Sequence, residues 1–540
     1  MIIKANRVDI RSHSVVPVSM EIEEGVIVSI TEIEEECSTY ILPGFIDAHI
    51  HIESSMLIPS EFARLAVRHG TVATVCDPHE IANVLGMAGV EFMIKNGEES
   101  GFKFYFGASP CVPATPFETS GAILDTDAVR TLLANPKIKF LSEVMNFPGV
   151  LSGDPDMLQK IEAARTIGKP VDGHAPGLQG EELERYIAAG ITTDHEAFTY
   201  EEGREKLEKG MKIIIREGSA AKNFDALHPL IEYFYDDLMF CSDDAHPDDL
   251  LQGHINTMVR RAIQEGHNLF HVLQIACINP ILHYGLDVGM LRPGDPADFI
   301  EVADLSEFAI VRTFIDGKIV ADIKESLLPQ LTVAAVNNFH TTLKCAEDFA
   351  APCCENTEVI QAIDHELITH EMQAHLYCSK DHSFGDPEHD ILKITVINRY
   401  EDTAPAVAYV NGFGLKKGAI ASSVAHDSHN IIAVGCSDEE IAAAVNLIIT
   451  SQGGISAVEG DNHKVLPLDI AGIMSSHDAF EVAEAYNFLS RYVTETLGSS
   501  LSSPFMTLSF MALLVIPELK LSDKGLFDGR SFHFIHPCKI

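Results

Sequence analysis

The sequence predicts an α/β protein whose largest part is a (β/α)8 TIM-like barrel. Eight short apolar runs have the length of strands, and amphipathic stretches of helical length, such as 157–167 and 179–189, separate most of them. Strands that alternate with helices at this spacing favour βαβ units and a parallel sheet. Polar residues follow each run directly, and the active sites of such barrels lie at the carboxyl ends of the strands.

The eight predicted strands can be placed in chain order. They are expected at residues 40–46, 71–76, 103–108, 138–142, 170–173, 190–193, 211–216 and 238–241. Polar groups at their ends include His49 and His51, Asp77-Pro78-His79-Glu80, Glu143, His174, Asp194-His195-Glu196, Glu217-Gly218-Ser219 and Ser242-Asp243-Asp244. We expect these groups to meet at one end of the barrel.

Six of these residues form a candidate metal site. Residues two apart in a strand point to the same side, so His49 and His51 can reach one point in space. The predicted ligands are His49, His51, Glu143, His174, His195 and Asp243. Imidazole and carboxylate together suit Zn, Fe or Mn better than Ca or Mg. Six ligands exceed the needs of one tetrahedral ion, so we predict two divalent ions bridged by Glu143. The alternative for any single histidine is an ordinary hydrogen-bonded polar group.

The same ligands predict hydrolytic chemistry. Water bound to such an ion loses its proton near neutral pH and becomes a nucleophile. Asp243 is the candidate to accept that proton and return it to a leaving group. The predicted catalytic residues are therefore Asp243 and Glu143.

Five segments carry a resemblance to a known family: residues 43–56, 76–84, 172–177, 214–223 and 241–244. With them, the chain resembles the amidohydrolase superfamily and, within it, the bacterial and archaeal adenine deaminases. His49-Ile50-His51 specifies only the superfamily. Asp77-Pro78-His79-Glu80 and Arg216-Glu217-Gly218-Ser219-Ala220-Ala221 are more specific to adenine deaminases. The resemblance spans essentially the whole chain and is weakest between residues 345 and 400.

The resemblance implies a reaction and a set of residues. The reaction is the deamination of adenine to hypoxanthine and ammonia in purine salvage, by hydroxide attack on C6. Many amidohydrolases bridge two metals with a carbamylated lysine on the fourth strand, and here Glu143 takes that place. Groups that could contact the purine ring are His79, Glu80, Glu196 and Ser219, each of which could instead orient a metal ligand.

Two alternatives remain open at this stage. The first is an amidohydrolase that acts on another purine, an N-substituted adenine or a cyclic amide, because pocket residues rather than ligands set that choice. The second is a non-catalytic binding protein of the same fold, although such proteins usually lose ligands. A cytidine-type zinc deaminase is excluded, because it needs a Cys-x-x-Cys motif that this chain lacks.

Composition restricts the partners. The 79 acidic and 38 basic residues give a net charge of −41, which opposes binding to nucleic acid. The amino terminus does not have the pattern of a signal peptide, and no apolar run approaches the length of a membrane span. Eleven cysteines without a framework spacing predict free thiols in the cytoplasm. We expect a homo-oligomer, as is common in the superfamily.

The predicted domains complete the description. Residues 1–40 and 291–330 are expected to form one composite β-sandwich, with a hairpin at Asp316-Gly317. The catalytic barrel is predicted over 41–290, a linker with irregular structure over 331–390 and a further α/β domain over 391–540. Within the last, residues 425–430 resemble a metal or proton-transfer site, but we interpret them as a turn capped by polar side chains against the barrel mouth.

Overall fold

The computed structural model describes residues 1–219, 221–323, 325–354, 356–379, 382–536 and 538. Its centre is a barrel of eight parallel strands: Phe45–Ile50, Thr71–Cys76, Lys103–Ala108, Ile138–Val144, Val171–Gly173, Thr193–Asp194, Lys212–Arg216 and Leu238–Cys241. The first five pair in chain order, as do the last three. A parallel bridge between Ile50 and Asp243 joins the eighth strand to the first, and the Asp243 N–H donates to His49 O at 3.0 Å. The predicted TIM-like barrel is confirmed.

The start of the first barrel strand differs from the prediction. The run 40–46 is divided: Tyr40–Pro43 pairs antiparallel with Phe299–Val302 outside the barrel, and Phe45–Ile50 is the barrel strand. Gly44 lies between them, where a Cβ atom would be 2.3 Å from a methyl of Val72. Because a side chain does not fit at this position, glycine lets the chain pass from one sheet to the other against the second barrel strand.

Helices connect the barrel strands and follow the last of them. They are Pro59–Ala66, His79–Leu85, Met87–Glu99, Thr126–Ala134, Phe147–Ser152, Pro155–Thr166, Gly180–Ala189, Tyr200–Glu208, Phe224–Leu227, Ile231–Phe234, Pro247–Gln252, Ile255–Gln264, Leu269–Leu273 and Asn279–Tyr284. Pro155–Thr166 shows why a helix starts where it does: the Asp154 carboxylate accepts the N–H of Asp156, and Pro155 occupies the first turn. The two amphipathic stretches expected at 157–167 and 179–189 are therefore helices, displaced by one or two residues.

Both flanks of the barrel contribute to a second sheet. Its eight strands lie in the order Glu325–Ser326, Lys318–Asp322, Ile310–Ile315, Phe299–Val302, Tyr40–Pro43, Ile2–Asp9, Ser14–Glu23 and Val26–Glu32. The hairpin expected at Asp316-Gly317 is confirmed: Ile315 pairs with Lys318, and both turn residues have positive φ. Apolar side chains such as Ile3, Met20 and Phe299 form the core of this sheet.

The C-terminal part contains a third large sheet. Its strands lie in the order His370–His375, Asn356–Gln361, Ala406–Asn411, Leu392–Ile397, Ile431–Gly435, Ala419–Ser422, Gly454–Glu459 and Asn462–Pro467. Two small sheets consist of Ala351–Pro352, His382–Phe384 and Tyr377–Ser379, and of Leu519–Ser522, Gly525–Asp528 and His533–Phe534. The helices are Asp438–Ser451, Ala479–Arg491 and Pro504–Phe510.

The region 331–390 is more regular than the sequence predicts. Asn356–Gln361 and His370–His375 pair antiparallel and belong to the large C-terminal sheet, so that sheet begins before the expected boundary at residue 391. His370–His375 lies at the edge of the sheet and buries none of its six residues. Of these residues, Met372 and Ala374 are apolar and pack on a small hydrophobic cluster, and two alternating apolar residues are too few to predict a strand.

Four cysteines depart from the expectation of free thiols. Cys353 is paired with Cys378 and Cys354 with Cys538, whereas the other seven are free. The sequence spacing gives no indication of these pairs, whose partners are 25 and 184 residues apart. Within the described residues, no helix has the length and apolar character required to cross a membrane.

The C-terminal part packs directly on the barrel. The Ala479 N–H donates to the Glu61 carboxylate at 2.9 Å, and Arg64 forms an ion pair with Asp478 at 2.7 Å. One continuous apolar core includes residues of both parts. The C-terminal part therefore has a fixed place over the ends of the barrel strands.

Candidate active site

The structure brings the six predicted ligands together at the carboxyl ends of the barrel strands. His49 lies within the first strand, and His51 follows it directly. Glu143 is the penultimate residue of the fourth strand. His174, His195 and Asp243 follow the fifth, sixth and eighth strands. Five of the six are buried, and His174 is partly exposed.

Glu143 lies between two halves of this cluster. Its Oε1 is 3.2 Å from His51 Nε2, while its Oε2 is 2.7 Å from His174 Nδ1 and 3.3 Å from His195 Nε2. On the other side, Asp243 Oδ1 is 3.6 Å from His49 Nε2 and 3.2 Å from His51 Nε2. A carboxylate that faces both groups of donors has the geometry that a bridging ligand needs.

The donor atoms fit divalent cations. His49 Nε2 and His51 Nε2 are 3.2 Å apart, and both face the same oxygen of Asp243. Several sets of these donors lie within 4.8 Å of one another, among them His49 with His195 and Asp243, and Glu143 with His174 and His195. Four imidazoles and two carboxylates form a set that suits Mn, Fe or Zn.

Backbone and carboxylate partners orient the ligands from behind. His51 Nδ1 lies 3.1 Å from Asp77 O, so its N–H donates to that carbonyl and Nε2 is left to face the cluster. The Asp47 carboxylate accepts hydrogen bonds from the Ser242 N–H at 3.0 Å and from His254 Nε2 at 2.8 Å. Asp47 thereby joins the first barrel strand to the eighth.

Sequence reasoning missed Arg216, the last residue of the seventh strand. Its Nη1 donates to Asp243 Oδ2 at 2.5 Å, and its guanidinium forms a two-pronged contact with Glu196, in which Nη2 is 3.1 Å from Oε2. Burial opposes ionisation of Asp243, but Arg216 and the hydrogen bonds with His49 and His51 hold the pKa of Asp243 well below its usual range. Arg216 lies at the end of a barrel strand, as the ligands do, and this position in the sequence could have identified it as a residue of the site.

Three of the four predicted substrate contacts line one cavity beside the cluster, namely His79, Glu80 and Glu196. His79 Nδ1 is 3.0 Å from Asp77 Oδ2, and Glu80 contacts His426 and His429 through its two carboxylate oxygens. The structure leaves Ser219 outside this cavity. Its hydroxyl donates to Asp249 at 2.5 Å and accepts from the His246 N–H at 2.8 Å, which holds it in a neighbouring depression.

The opposite wall of the cavity comes from the C-terminal part and is apolar. Its side chains are Leu367, Phe510, Leu513, Val515 and Ile516. The turn at 425–430, expected to cap itself against the barrel mouth, does lie there. Its histidines turn towards Glu80, so the turn contributes polar groups to the cavity.

Comparisons with known proteins agree along the whole chain. The amidohydrolase family matches residues 40–320, and the adenine deaminase C-terminal domain matches residues 366–533. The chain is 64% identical to an adenine deaminase of Sulfurovum sp., with 100% of both chains covered. It is 53% identical to an adenine deaminase of Salinibacter ruber (98% and 97% covered) and 51% identical to one of Methanosarcina mazei (95% and 95% covered).

Solved structures also resemble part of the chain. A beta-aspartyl dipeptidase of Fervidobacterium islandicum aligns with a TM-score of 0.46 at 17% identity, covering 62% of this chain and 100% of its own. An N-acetyl-D-glucosamine-6-phosphate deacetylase of Mycobacterium smegmatis aligns with a TM-score of 0.46 at 15% identity, covering 59% and 100%.

Proposed function

Because this chain belongs to the adenine deaminase family within the amidohydrolases, we propose that it converts adenine and water to hypoxanthine and ammonia in purine salvage. The full-length match to adenine deaminases carries this proposal. The buried cluster at the ends of the barrel strands supports it, because donors for metal ions and a proton-accepting carboxylate lie beside one cavity.

The cofactor we propose is a pair of divalent ions, with Mn, Fe or Zn as the candidates. The ligands would be His49, His51, Glu143, His174, His195 and Asp243, with Glu143 shared between the two ions. When bound, such ions would lower the pKa of a water molecule to near neutrality and so would supply the hydroxide that adds to C6. The protein's own residues hold the ring and move the protons.

Asp243 is the proposed proton carrier. Its carboxylate is ionised, and this is the form that can accept the proton of the attacking water and pass it to the departing amine. Arg216 holds one carboxylate oxygen at 2.5 Å and leaves the other facing His49 and His51. The carboxylate therefore keeps one orientation while the proton is transferred.

The cavity offers the purine two different walls. The apolar side chains of the C-terminal part can cover the flat face of the ring and exclude water. His79, Glu80 and Glu196 form the polar wall, whose two ionised carboxylates can accept hydrogen bonds from the N–H groups of the purine. We propose that these three residues set the orientation of adenine, and that Ser219, which lies outside the cavity, does not contact the ring.

Replacing Glu80 tests the polar wall. We expect Glu80→Gln to raise KM or lower kcat for adenine about tenfold, while the site of the six ligands keeps its metal, because Glu80 is not one of them. Steady-state kinetics and metal analysis on the same preparation measure both. Metal content below two equivalents per chain would contradict a role in the polar wall, because the six-ligand site would then have lost an ion.

The reaction itself is tested with substrate alternatives. The metal-reconstituted protein is incubated with adenine, other purines and cyclic amides, and the release of ammonia and the ultraviolet spectrum of hypoxanthine are followed. Turnover of adenine above the other compounds is the expected result. Turnover of another purine or a cyclic amide instead would contradict the substrate, and no turnover of any of them by metal-loaded protein would favour a binding protein.

The net charge and the family support proposals about the partners, the oligomeric state and the location of the protein. The net charge of −41 supports free adenine rather than a nucleic acid as the substrate. We propose a cytoplasmic homo-oligomer without a membrane partner.

A further inference from the structure

A second group of buried imidazoles and carboxylates lies where the barrel meets the C-terminal part. His79 and Glu80 begin the helix His79–Leu85 of the barrel. His426, Asp427 and His429 lie in the turn between the strands Ala419–Ser422 and Ile431–Gly435. None of the five residues is more than 3% exposed. So many ionisable groups without solvent need partners that balance their charges.

The contacts of these residues converge on one point. His79 Nε2 is 3.4 Å from Glu80 Oε1 and 3.8 Å from Asp427 Oδ1, and donor atoms of these three residues lie within 4.8 Å of one another. His426 Nδ1 contacts the same oxygen of Glu80. Among the described residues, Asp427 Oδ2 has no hydrogen-bond partner although it is buried. An unpaired buried carboxylate oxygen is costly, and a cation bound by the Asp427 carboxylate would offset that cost.

The outer hydrogen bonds show which nitrogen atoms are free to act as ligands. His79 Nδ1 is 3.0 Å from Asp77 Oδ2, so Nδ1 is taken by that carboxylate and Nε2 faces Glu80 and Asp427. A histidine that donates its other N–H to a carboxylate is the usual arrangement behind a metal ligand. In His429 the order is reversed: Nδ1 accepts the Ala425 N–H at 3.2 Å, so Nε2 carries the proton and donates to Glu80.

The turn that supplies His426 and Asp427 is held from outside the cluster. Arg399 donates to His429 O at 3.3 Å, and the Tyr400 hydroxyl donates to Ser428 O at 2.6 Å. The ring of His426 stacks on Phe510 at 4.9 Å. These contacts hold the side chains in place without using the atoms that face Glu80, as expected of a site whose ligands are positioned before the ion binds.

We propose that His79 Nε2, Glu80 Oε1, His426 Nδ1 and Asp427 bind a further divalent cation, in addition to the ions of the six-ligand site. Two imidazoles and two carboxylates suit Zn, Mn or Fe. The other ring nitrogen of His79, Nδ1, is 3.5 Å from Glu143 Oε1, so one imidazole separates this cation from the six-ligand site. The ligands of this cation come from both parts of the chain, so the cation joins the C-terminal part to the barrel. As one of these ligands, Glu80 keeps a fixed position in the polar wall.

Metal content per chain tests this proposal without relying on activity. Full-length wild type, His426→Gln and the isosteric Asp427→Asn are reconstituted with Mn²⁺, freed of unbound metal and analysed by inductively coupled plasma mass spectrometry. His246→Gln is the matched control, because His246 is equally buried at the same boundary but packs against Tyr486. We expect His426→Gln and Asp427→Asn to hold one equivalent less than wild type, and His246→Gln to hold the same amount.

The opposite result would be unchanged metal content in Asp427→Asn, which would mean that a proton shared between His426 and Glu80 balances the cluster instead. Asp427→Asn decides the matter if His426→Gln does not fold. Adenine turnover recorded on the same wild-type sample separates this proposal from the deaminase function. If wild type turns over adenine and the variants hold as much metal as wild type, only the further cation is refuted. If the variants hold one equivalent less but wild type does not turn over adenine, only adenine as the substrate is refuted.

Discussion

At the scale of single residues, the candidate site depends on where each side chain stands relative to the end of a strand. His49, Glu143 and Asp243 could be identified from the sequence because each follows or ends an apolar run, and strand ends of a barrel meet. Arg216 occupies an equivalent position, but a search for metal ligands passes over a cation. Its pairing with Asp243 and Glu196 depends on the distance between three different strands, which the sequence does not encode locally.

Arg216 is predicted to orient Asp243 through a planar, forked contact. Lysine keeps the charge but cannot bind Glu196 in two places while also holding Asp243. Arg216→Lys should therefore lower kcat for adenine roughly 10- to 100-fold with unchanged metal content, the size of effect typical of residues behind a metal ligand. Steady-state kinetics with metal analysis measures this, and Arg204→Lys on the surface is the control. Full activity of Arg216→Lys would contradict the orienting role.

At the scale of elements, the barrel strands were predictable and their exact limits were not. The run 40–46 is uniformly apolar because Tyr40–Pro43 and Phe45–Ile50 are both largely buried, in two different sheets. Composition cannot mark a change of sheet within such a run, and only Gly44 shows where it occurs. The edge strand His370–His375 was missed for the opposite reason, since none of its residues is fully buried and only Met372 and Ala374 are apolar.

Gly44 is predicted to tolerate no side chain. In Gly44→Ala the new Cβ would lie 2.3 Å from a methyl of Val72, so the variant should lose roughly 1–3 kcal/mol of stability through overpacking. Val72→Ala removes that methyl, and the double variant should be more stable than the sum of the two single losses predicts. Chemical denaturation of the four proteins gives the coupling. Strict additivity would mean that Val72 is not what excludes the side chain.

At the scale of the whole molecule, the cavity is completed only when the C-terminal part covers the barrel. The polar wall comes from the barrel and the apolar wall from residues beyond 360. The family resemblance predicted both parts, but neither part alone shows that the histidines of the turn reach Glu80, more than 340 residues earlier. That contact depends on how the barrel and the C-terminal part pack against each other, which lies beyond what local sequence patterns can specify.

Lys520 ties together two segments that line the cavity. Its Nζ donates to Leu367 O at 2.7 Å and to Phe510 O at 3.0 Å, and burial lowers the pKa of Lys520 from 10.5 to about 7. Between these two pKa values the unfolded chain binds more protons than the folded one, so this residue makes wild type more stable as pH rises from 7. Lys520→Met has no side chain that titrates at this position, so it does not gain stability in this way. The difference in unfolding free energy between wild type and variant should shift towards wild type by roughly 2 kcal/mol from pH 7 to pH 9. An equal difference at both pH values would contradict the lowered pKa.

The most direct measurement compares wild type with Asp243→Asn on adenine. Both proteins are reconstituted with the same divalent metal, and ammonia release and the conversion of the adenine spectrum to that of hypoxanthine are followed. Wild type should turn over, and Asp243→Asn should lose about 10²- to 10⁴-fold in kcat, because asparagine cannot carry the proton. Equal turnover by the two proteins, or no reaction of metal-loaded wild type with adenine, would contradict adenine deamination at this site.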